Sequence, residues 1–328
     1  MAASIESQTD ALIAGRRFDE AARGLLTAAA GGDPAALERL AHWRIAGDIV
    51  RRDLKAARAL LGRAGAAGRG EAALLHAYFL ASGAGGEADW AGALRALRAL
   101  APREKRARAQ LRLIDAMDLD EDGFPARPPA TEALSDSPRV VVAPAFATAA
   151  ECDYLVRAGT PSLQPSRVVD PSTGRVIPHP IRSSDGTQFG VHTEDLVVNA
   201  LNRRIAALSG TRPEQGEPLQ MLRYAPGGEY KAHMDALPAE PNQRIVTVLV
   251  YLSEGYAGGE TRFLRTGLTF AGRKGDALLF RNVTPDGAAD PMALHAGLPV
   301  ERGVKTIASR WIRQARFTYP PPRPLLEV

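Results

Sequence analysis

From residue 1 to about 118 the apolar positions recur three or four residues apart, and alanine and leucine dominate. From 139 onward that spacing stops, and short runs rich in β-branched and aromatic residues are divided by Gly and Pro turns. The first pattern predicts amphipathic helices and the second predicts strands. The predicted strands cover 139–142, 219–224, 245–252, 276–280 and 305–312. Between them, Thr193 followed by Glu194 and Asp195 reads as an N-cap with an acidic first turn, predicting a helix that runs to Ser209 and stops at Gly210.

The helical region repeats itself with a period of 36 residues. Ala21, Ala57 and Ala93 fall in register, as do Leu25, Leu61 and Leu97, and Phe18, Leu54 and Trp90. Trp43 pairs with Phe79, Gly47 with Gly83, and Asp53 with Asp89 at the same offset. Such a period is the mark of a helix–turn–helix solenoid, in which each hairpin buries its apolar face only against its neighbours. The pattern resembles the Sel-one-like branch of tetratricopeptide-type repeats, a resemblance that implies a surface presented to other proteins. His42 and His76 on these helices are read as packing or surface residues.

Residues 119–138 are acidic and then Pro-rich, which reads as a linker. The expected chain is therefore an α+β, two-domain protein. A helical-repeat solenoid occupies 1–118, the linker 119–138, a sandwich or jelly-roll β-domain 139–319, and a Pro-rich tail 320–328.

Composition narrows the function classes. The 328 residues are 45% apolar and 24% charged, which excludes a disordered chain. Cys152 is the only cysteine, so neither an intrachain disulfide nor a Cys-rich zinc framework can form. A net charge of +4 from 41 basic and 37 acidic side chains is too small and too spread to suggest a nucleic-acid partner. The most apolar run, 245–252, is too short to cross a bilayer and the N-terminus lacks the pattern of a secretory signal, so no membrane is expected and the localisation expected is cytoplasmic.

The chemistry lies in Tyr224-Ala-Pro-Gly-Gly-Glu-Tyr-Lys-Ala-His233-Met-Asp235. Residues two apart on an extended strand share a face, so His233 and Asp235 can offer an imidazole and a carboxylate to one ion. His295, at the entry to a later strand, supplies a third ligand. Two histidines and one carboxylate form the facial triad of non-haem iron(II) oxygenases, which leaves coordination positions open for reactants. Lys305 follows His295 by ten residues across a turn at 299–303, read as a hairpin that returns an ammonium beside the metal to pair with the distal carboxylate of a dicarboxylate. By strand alternation Lys305, Ile307, Ser309, Trp311 and Arg313 share one face, with Trp311 and Arg313 toward the mouth.

These motifs, taken in order with Arg244 before an apolar strand, Gly258-Gly-Glu-Thr261 with Phe263, Lys274-Gly-Asp-Ala-Leu-Leu-Phe280, and His295-x-Gly-x-Pro-Val300-x-x-Gly303-x-Lys305, resemble the prolyl 4-hydroxylase family over about 139–316. The resemblance implies a double-stranded β-helix that holds iron(II) through His233, Asp235 and His295. It implies 2-oxoglutarate held by Lys305 with help from Tyr224 and Thr261, O2 as oxidant and ascorbate as reductant. Arg182, Tyr230, Arg244 and Trp311 align with positions that line the family's peptide groove. Gly228-Glu229, Thr306 and Arg313 depart from the common family pattern, which bears on substrate rather than on iron chemistry.

The expected activity is hydroxylation of a C–H bond, of a prolyl residue in a protein or peptide, with release of succinate and CO2. The repeats are expected to dock that polypeptide. Two other readings stand beside it: hydroxylation of a free amino acid or other small molecule, and an inactive barrel on a protein-binding repeat scaffold. His179 and His192, lone histidines outside the motifs, are read as ordinary packing residues.

Overall fold

The computed structural model describes residues 3–169, 175–319 and 322–326. The chain divides into two compact units, Met1–Gly123 with Val191–Asn199 and Thr318–Val328, and Phe124–Gly190 with Ala200–Phe317. The first unit thus takes in 191–199 along with the helical N-terminal part. Among the described residues no helix is long and apolar enough to cross a membrane.

Seven helices build the N-terminal part of the first unit: α1 (Ile5–Ala14), α2 (Phe18–Ala30), α3 (Pro34–Ala46), α4 (Leu54–Ala66), α5 (Gly70–Ser82), α6 (Trp90–Leu100) and α7 (Lys105–Ile114). The 36-residue register is physical. Phe18, Leu54 and Trp90 open α2, α4 and α6, and the three alanines and three leucines of the repeat are buried at matching places on those helices. Asp53 and Asp89 cap α4 and α6 by accepting hydrogen bonds from Ala56 N and Gly92 N, while Gly47 and Gly83 end α3 and α5 in the left-handed conformation. Gly65 lies where α4 meets α5; a Cβ there would come within 2.9 Å of the Ala73 Cα, so the close helix approach requires glycine.

The second unit opens with β1 (Glu132–Asp136) and β2 (Arg139–Ala143), followed by α8 (Ala149–Gly159). Strand β1 falls inside the segment expected to be a linker. It pairs antiparallel with β2 at the sheet edge, and its mostly exposed residues carry no apolar alternation that would reveal a strand. The capping box of Thr148 and Glu151 starts α8, and Glu151 is also gripped by Arg204 at 2.9 Å. Next come β3 (Gln164–Pro165), β4 (Arg167–Val169), β5 (Val176–Pro178), β6 (Asp185–Phe189) and helix α9 (Leu196–Ser209). The cap of α9 is Asp195, whose carboxylate accepts from Val197 N and Val198 N, two residues beyond the threonine expected to do so. Gly210, at φ +66°, ends the helix as predicted.

The remaining strands are β7 (Leu219–Tyr224), β8 (Tyr230–His233), β9 (Arg244–Tyr251), β10 (Ala257–Gly258), β11 (Thr261–Phe263), β12 (Thr269–Phe270), β13 (Ala277–Arg281), β14 (His295–Gly297), β15 (Val300–Arg302) and β16 (Lys305–Arg313). They form an eight-stranded sheet in the order β1-β2-β13-β9-β16-β7-β6-β3 and a four-stranded sheet β12-β11-β14-β8, with β10-β15 and β4-β5 as small pairs. This is the double-stranded β-helix of the expected fold class. Leu222, Leu249, Phe263, Leu278, Phe280, Val300 and Ile307 meet in its core. Burial of such side chains is worth roughly 1.5–3 kcal/mol each and drives the two sheets together.

The segment after His295 is not a hairpin. Strand β15 pairs with β10, so the chain leaves the small sheet at β14 and enters the centre of the large sheet at β16. Gly303, at φ +75°, makes the turn, where a Cβ would come within 2.8 Å of the Gly255 carbonyl.

Candidate metal centre and active site

The four-stranded sheet places the two histidines. His295 begins β14 and His233 ends β8, and the two are register partners across that antiparallel pair. Directly opposite residues project from the same face of a sheet, so their imidazoles converge, with ring centroids 4.3 Å apart. The Nδ1 atoms face backbone carbonyls, His233 with Lys231 O at 2.8 Å and His295 with Ala293 O at 2.9 Å. A nitrogen facing a carbonyl carries the proton, which leaves each Nε2 as a lone-pair donor.

Asp235 lies in a bend just past the end of β8 rather than on the strand itself. It still reaches both rings: Oδ1 is 3.5 Å from His233 Nε2 and Oδ2 is 3.8 Å from His295 Nε2. Burial works against the Asp235 charge. The neighbouring imidazoles of His233 and His295 and the Thr247 hydroxyl outweigh it and hold the carboxyl below its ordinary range. Burial also lowers the His295 pKa, which keeps that imidazole a neutral donor. Candidate ligand atoms of His233, Asp235 and His295 lie within 4.8 Å of one another. Two neutral nitrogens and one carboxylate oxygen on one side of a cavity match the donor set of a non-haem iron(II) site.

The large sheet supplies the opposite wall. The pocket is lined by Leu222, Tyr224, Leu249, Ile307, Ser309 and Trp311 from that sheet, together with Lys305 and, across from it, Tyr230, Thr261 and Leu298. Lys305 is buried, donates to Gly259 O at 2.6 Å, and has its pKa lowered by burial to about 8. Thr261 shares a 2.9 Å hydrogen bond with Tyr251, whose ring lies 5.5 Å from the Lys305 ammonium. Tyr251 was not distinguishable by sequence, since it sits in an apolar strand as a core tyrosine would. Burial raises the Tyr224 pKa well above its ordinary value, so its phenol stays protonated.

The groove residues divide. Tyr230 lines the pocket and stacks on His233 with centroids 3.5 Å apart. Trp311 also lines it, and its buried indole N–H has no partner among the described residues. Arg182 bridges to Tyr230 through its backbone and sets its guanidinium 5.4 Å from that ring. His179, given no role from sequence, stands edge-on to Tyr230 at 5.9 Å.

Arg244 and Arg313 are not presented to the pocket. Glu217 accepts from Arg244 Nε at 2.6 Å, from Arg244 Nη2 at 2.9 Å and from Arg313 Nε at 2.6 Å. Arg244 also lies 3.7 Å over the Trp311 ring. Arg313 is the register partner of Arg244; the extra residue of the β9–β16 register lies on β9, between Arg244 and Val246, so alternation along β16 is unbroken and it is Glu217 that holds Arg313.

Comparison with known proteins agrees with this geometry. The 2OG-Fe(II) oxygenase superfamily matches residues 219–313, which include all three candidate ligands and Lys305. Prolyl 4-hydroxylase 1 of Arabidopsis thaliana is 37% identical over 203 residues, which cover 56% of this chain and 71% of the relative. The solved viral collagen prolyl hydroxylase of Paramecium Bursaria Chlorella virus-1 is 28% identical with a TM-score of 0.44, covering 56% of this chain and 99% of that one. The solved Sel1 repeat protein of Oxalobacter formigenes is 26% identical with a TM-score of 0.29, covering 33% of this chain and 94% of that one. On the identity and coverage of the plant relatives, this chain belongs to the prolyl 4-hydroxylase family of 2-oxoglutarate-dependent dioxygenases.

Proposed function

We propose that the protein hydroxylates a prolyl residue within a protein or peptide, converting 2-oxoglutarate and O2 to succinate and CO2. The observation that carries this reading is the convergence of His233, Asp235 and His295 in one pocket that also holds the buried Lys305 ammonium. Iron(II) held by those three residues would supply open coordination positions and the oxidising power that an unactivated C–H bond demands. Ascorbate serves as the reductant that maintains the ferrous state.

The chain's own work is placement. Lys305 exchanges its Gly259 carbonyl partner for the distal carboxylate of 2-oxoglutarate, with the Thr261 hydroxyl beside it, oriented by Tyr251. Leu222, Leu249 and Ile307 keep water from the cosubstrate, which strengthens the charge pairing. Tyr230 and Trp311 form the walls against which a flat, apolar pyrrolidine ring packs.

Charge favours a peptidyl substrate over a free amino acid. The acidic and basic side chains lining the pocket are the three candidate ligands and Lys305, all committed, and Glu217 holds Arg244 and Arg313. Among the described residues that line the pocket no further charged side chain is left to pair with the zwitterion of a free amino acid, whereas a residue inside a chain brings only neutral backbone. The helical repeats supply a docking surface for that polypeptide.

The test is mass spectrometry of proline-containing peptides, and of host proteins, incubated with iron(II), 2-oxoglutarate and ascorbate. A one-oxygen gain on proline supports the reading. No gain on any polypeptide, with oxidation of free proline instead, would overturn the substrate assignment.

A further inference from the structure

Behind Asp235 a second layer of buried polar groups runs in one direction. Thr247 Oγ1 lies 2.6 Å from Asp235 Oδ2, and Asn282 Nδ2 lies 2.9 Å from the same Thr247 oxygen. All three residues are buried, Asn282 at 0% and Thr247 at 1% exposure. None belongs to the apolar set that fills the rest of this layer, and burying a threonine and an asparagine in a core costs stability unless their hydrogen bonds are used.

The proton inventory fixes the orientation. An ionised carboxylate only accepts, so the single hydroxyl hydrogen of Thr247 must point to Asp235 Oδ2. The Thr247 oxygen is then left only with lone pairs, and Asn282 must turn its amide N–H toward it. Backbone geometry locks both ends. Thr247 is the register partner of Phe280 across β9 and β13, Asn282 N donates to Ile245 O at 3.0 Å, and Asn282 O accepts from Asp290 N at 2.9 Å.

We infer that Thr247 and Asn282 are positioning residues for the metal centre, an inference that rests on the iron-binding reading of His233, Asp235 and His295. Asn282 orients the Thr247 hydroxyl, and that hydroxyl holds Asp235 Oδ2. Asp235 Oδ1, 3.5 Å from His233 Nε2, is then the free oxygen offered to the ion. The carboxylate is thereby aimed before any metal arrives, and its rotation is not an added cost of binding. Partners of this kind are worth roughly 10–100-fold in metal affinity.

The test is Mn(II) binding to the metal-free full-length protein, read by the loss of the free-ion EPR signal, which needs no turnover. Thr247→Val, the same shape without the hydroxyl, should weaken Mn(II) by about 10–100-fold. Thr247→Ser keeps the donor and should bind within about threefold of wild type. Asn282→Ser should weaken binding when Thr247 is present and add nothing to Thr247→Val, because its effect passes through that hydroxyl.

A Thr247→Val protein that binds Mn(II) as tightly as wild type would overturn the relay, as would equal losses for Ser and Val at 247. These outcomes leave the metal site itself standing. If wild-type protein and His295→Ala bind Mn(II) equally poorly, the iron-binding reading falls and the relay with it.

Discussion

Lys305 is the register partner of Tyr224 across the β7–β16 pair, and its ammonium lies 5.7 Å from that phenol ring. Because Tyr251 flanks it from β9 at 5.5 Å, the cation sits between two aromatic faces, and among the described residues only the Gly259 carbonyl accepts a hydrogen bond from it. A dicarboxylate entering the pocket supplies the missing counter-charge. Lys305→Ala should therefore weaken 2-oxoglutarate by about 2–5 kcal/mol, at least roughly 30-fold in its KM, while Mn(II) binding is retained. Steady-state kinetics and Mn(II) titration check this together; an unchanged KM would mean that another group holds the cosubstrate.

The same burial sets a pH dependence. The folded-state pKa of Lys305 is lowered from 10.5 to about 8, so between those values the unfolded chain binds a proton that the folded chain does not. Stability of the cosubstrate-free protein attributable to Lys305 therefore rises as pH climbs from about 8 to 10.5, and the penalty is fully present below 8. Lys305→Met should melt higher than wild type at pH 7, and its advantage should shrink by pH 10. Over the same rise wild-type affinity for 2-oxoglutarate should fall, because the uncharged amine no longer pairs with the carboxylate. Calorimetry of both proteins across pH measures both effects.

Glu217 pairs with Arg244 and Arg313 at once, with all three side chains at most 15% exposed. Removing the shared carboxylate leaves the buried Arg244 guanidinium uncompensated and Arg313 with only Glu240 at 3.5 Å, so Glu217→Gln should destabilise the protein by about 3–5 kcal/mol in denaturant unfolding. It should also free Arg244 from its place over Trp311, raising the KM for peptide while the KM for 2-oxoglutarate holds.

In the helical unit, Leu61 is fully buried at the centre of the repeat register. Leu61→Ala should cost about 2–5 kcal/mol. Asp53→Ala, which removes only the α4 cap, should cost about 1 kcal/mol. Equal costs for the two would mean that the register does not define the core.

The parts of the site that sequence revealed are those whose spacing is itself chemical. His233 and Asp235 are two residues apart, and the Lys305 amine follows His295 within one strand connection. The repeat was legible for a similar reason, since Ala21, Ala57 and Ala93 must each fit the same tight helix contact. What escaped depends on register between distant strands. Glu217 lies 27 residues before Arg244, and nothing local shows that the two meet. Tyr251 and Thr247 lie within the apolar strand predicted over 245–252 and Asn282 just past the one predicted over 276–280, and nothing local shows that Thr247 and Asn282 meet until β9 and β13 are paired. Arg313 was assigned to the mouth by alternation, and nothing local shows that Glu217, 96 residues before it, holds its guanidinium. The turn at 299–303 suggested a hairpin because sequence cannot show that its two flanking strands join different sheets.

The most direct test of the central claim is release of labelled CO2 from 1-labelled 2-oxoglutarate by purified protein with iron(II), ascorbate and a proline-rich peptide. The account predicts release by wild type that is lost in His295→Ala and Asp235→Ala, and restored in Lys305→Ala only at high 2-oxoglutarate. Release that is absent in wild type, or that persists undiminished in His295→Ala, would contradict it.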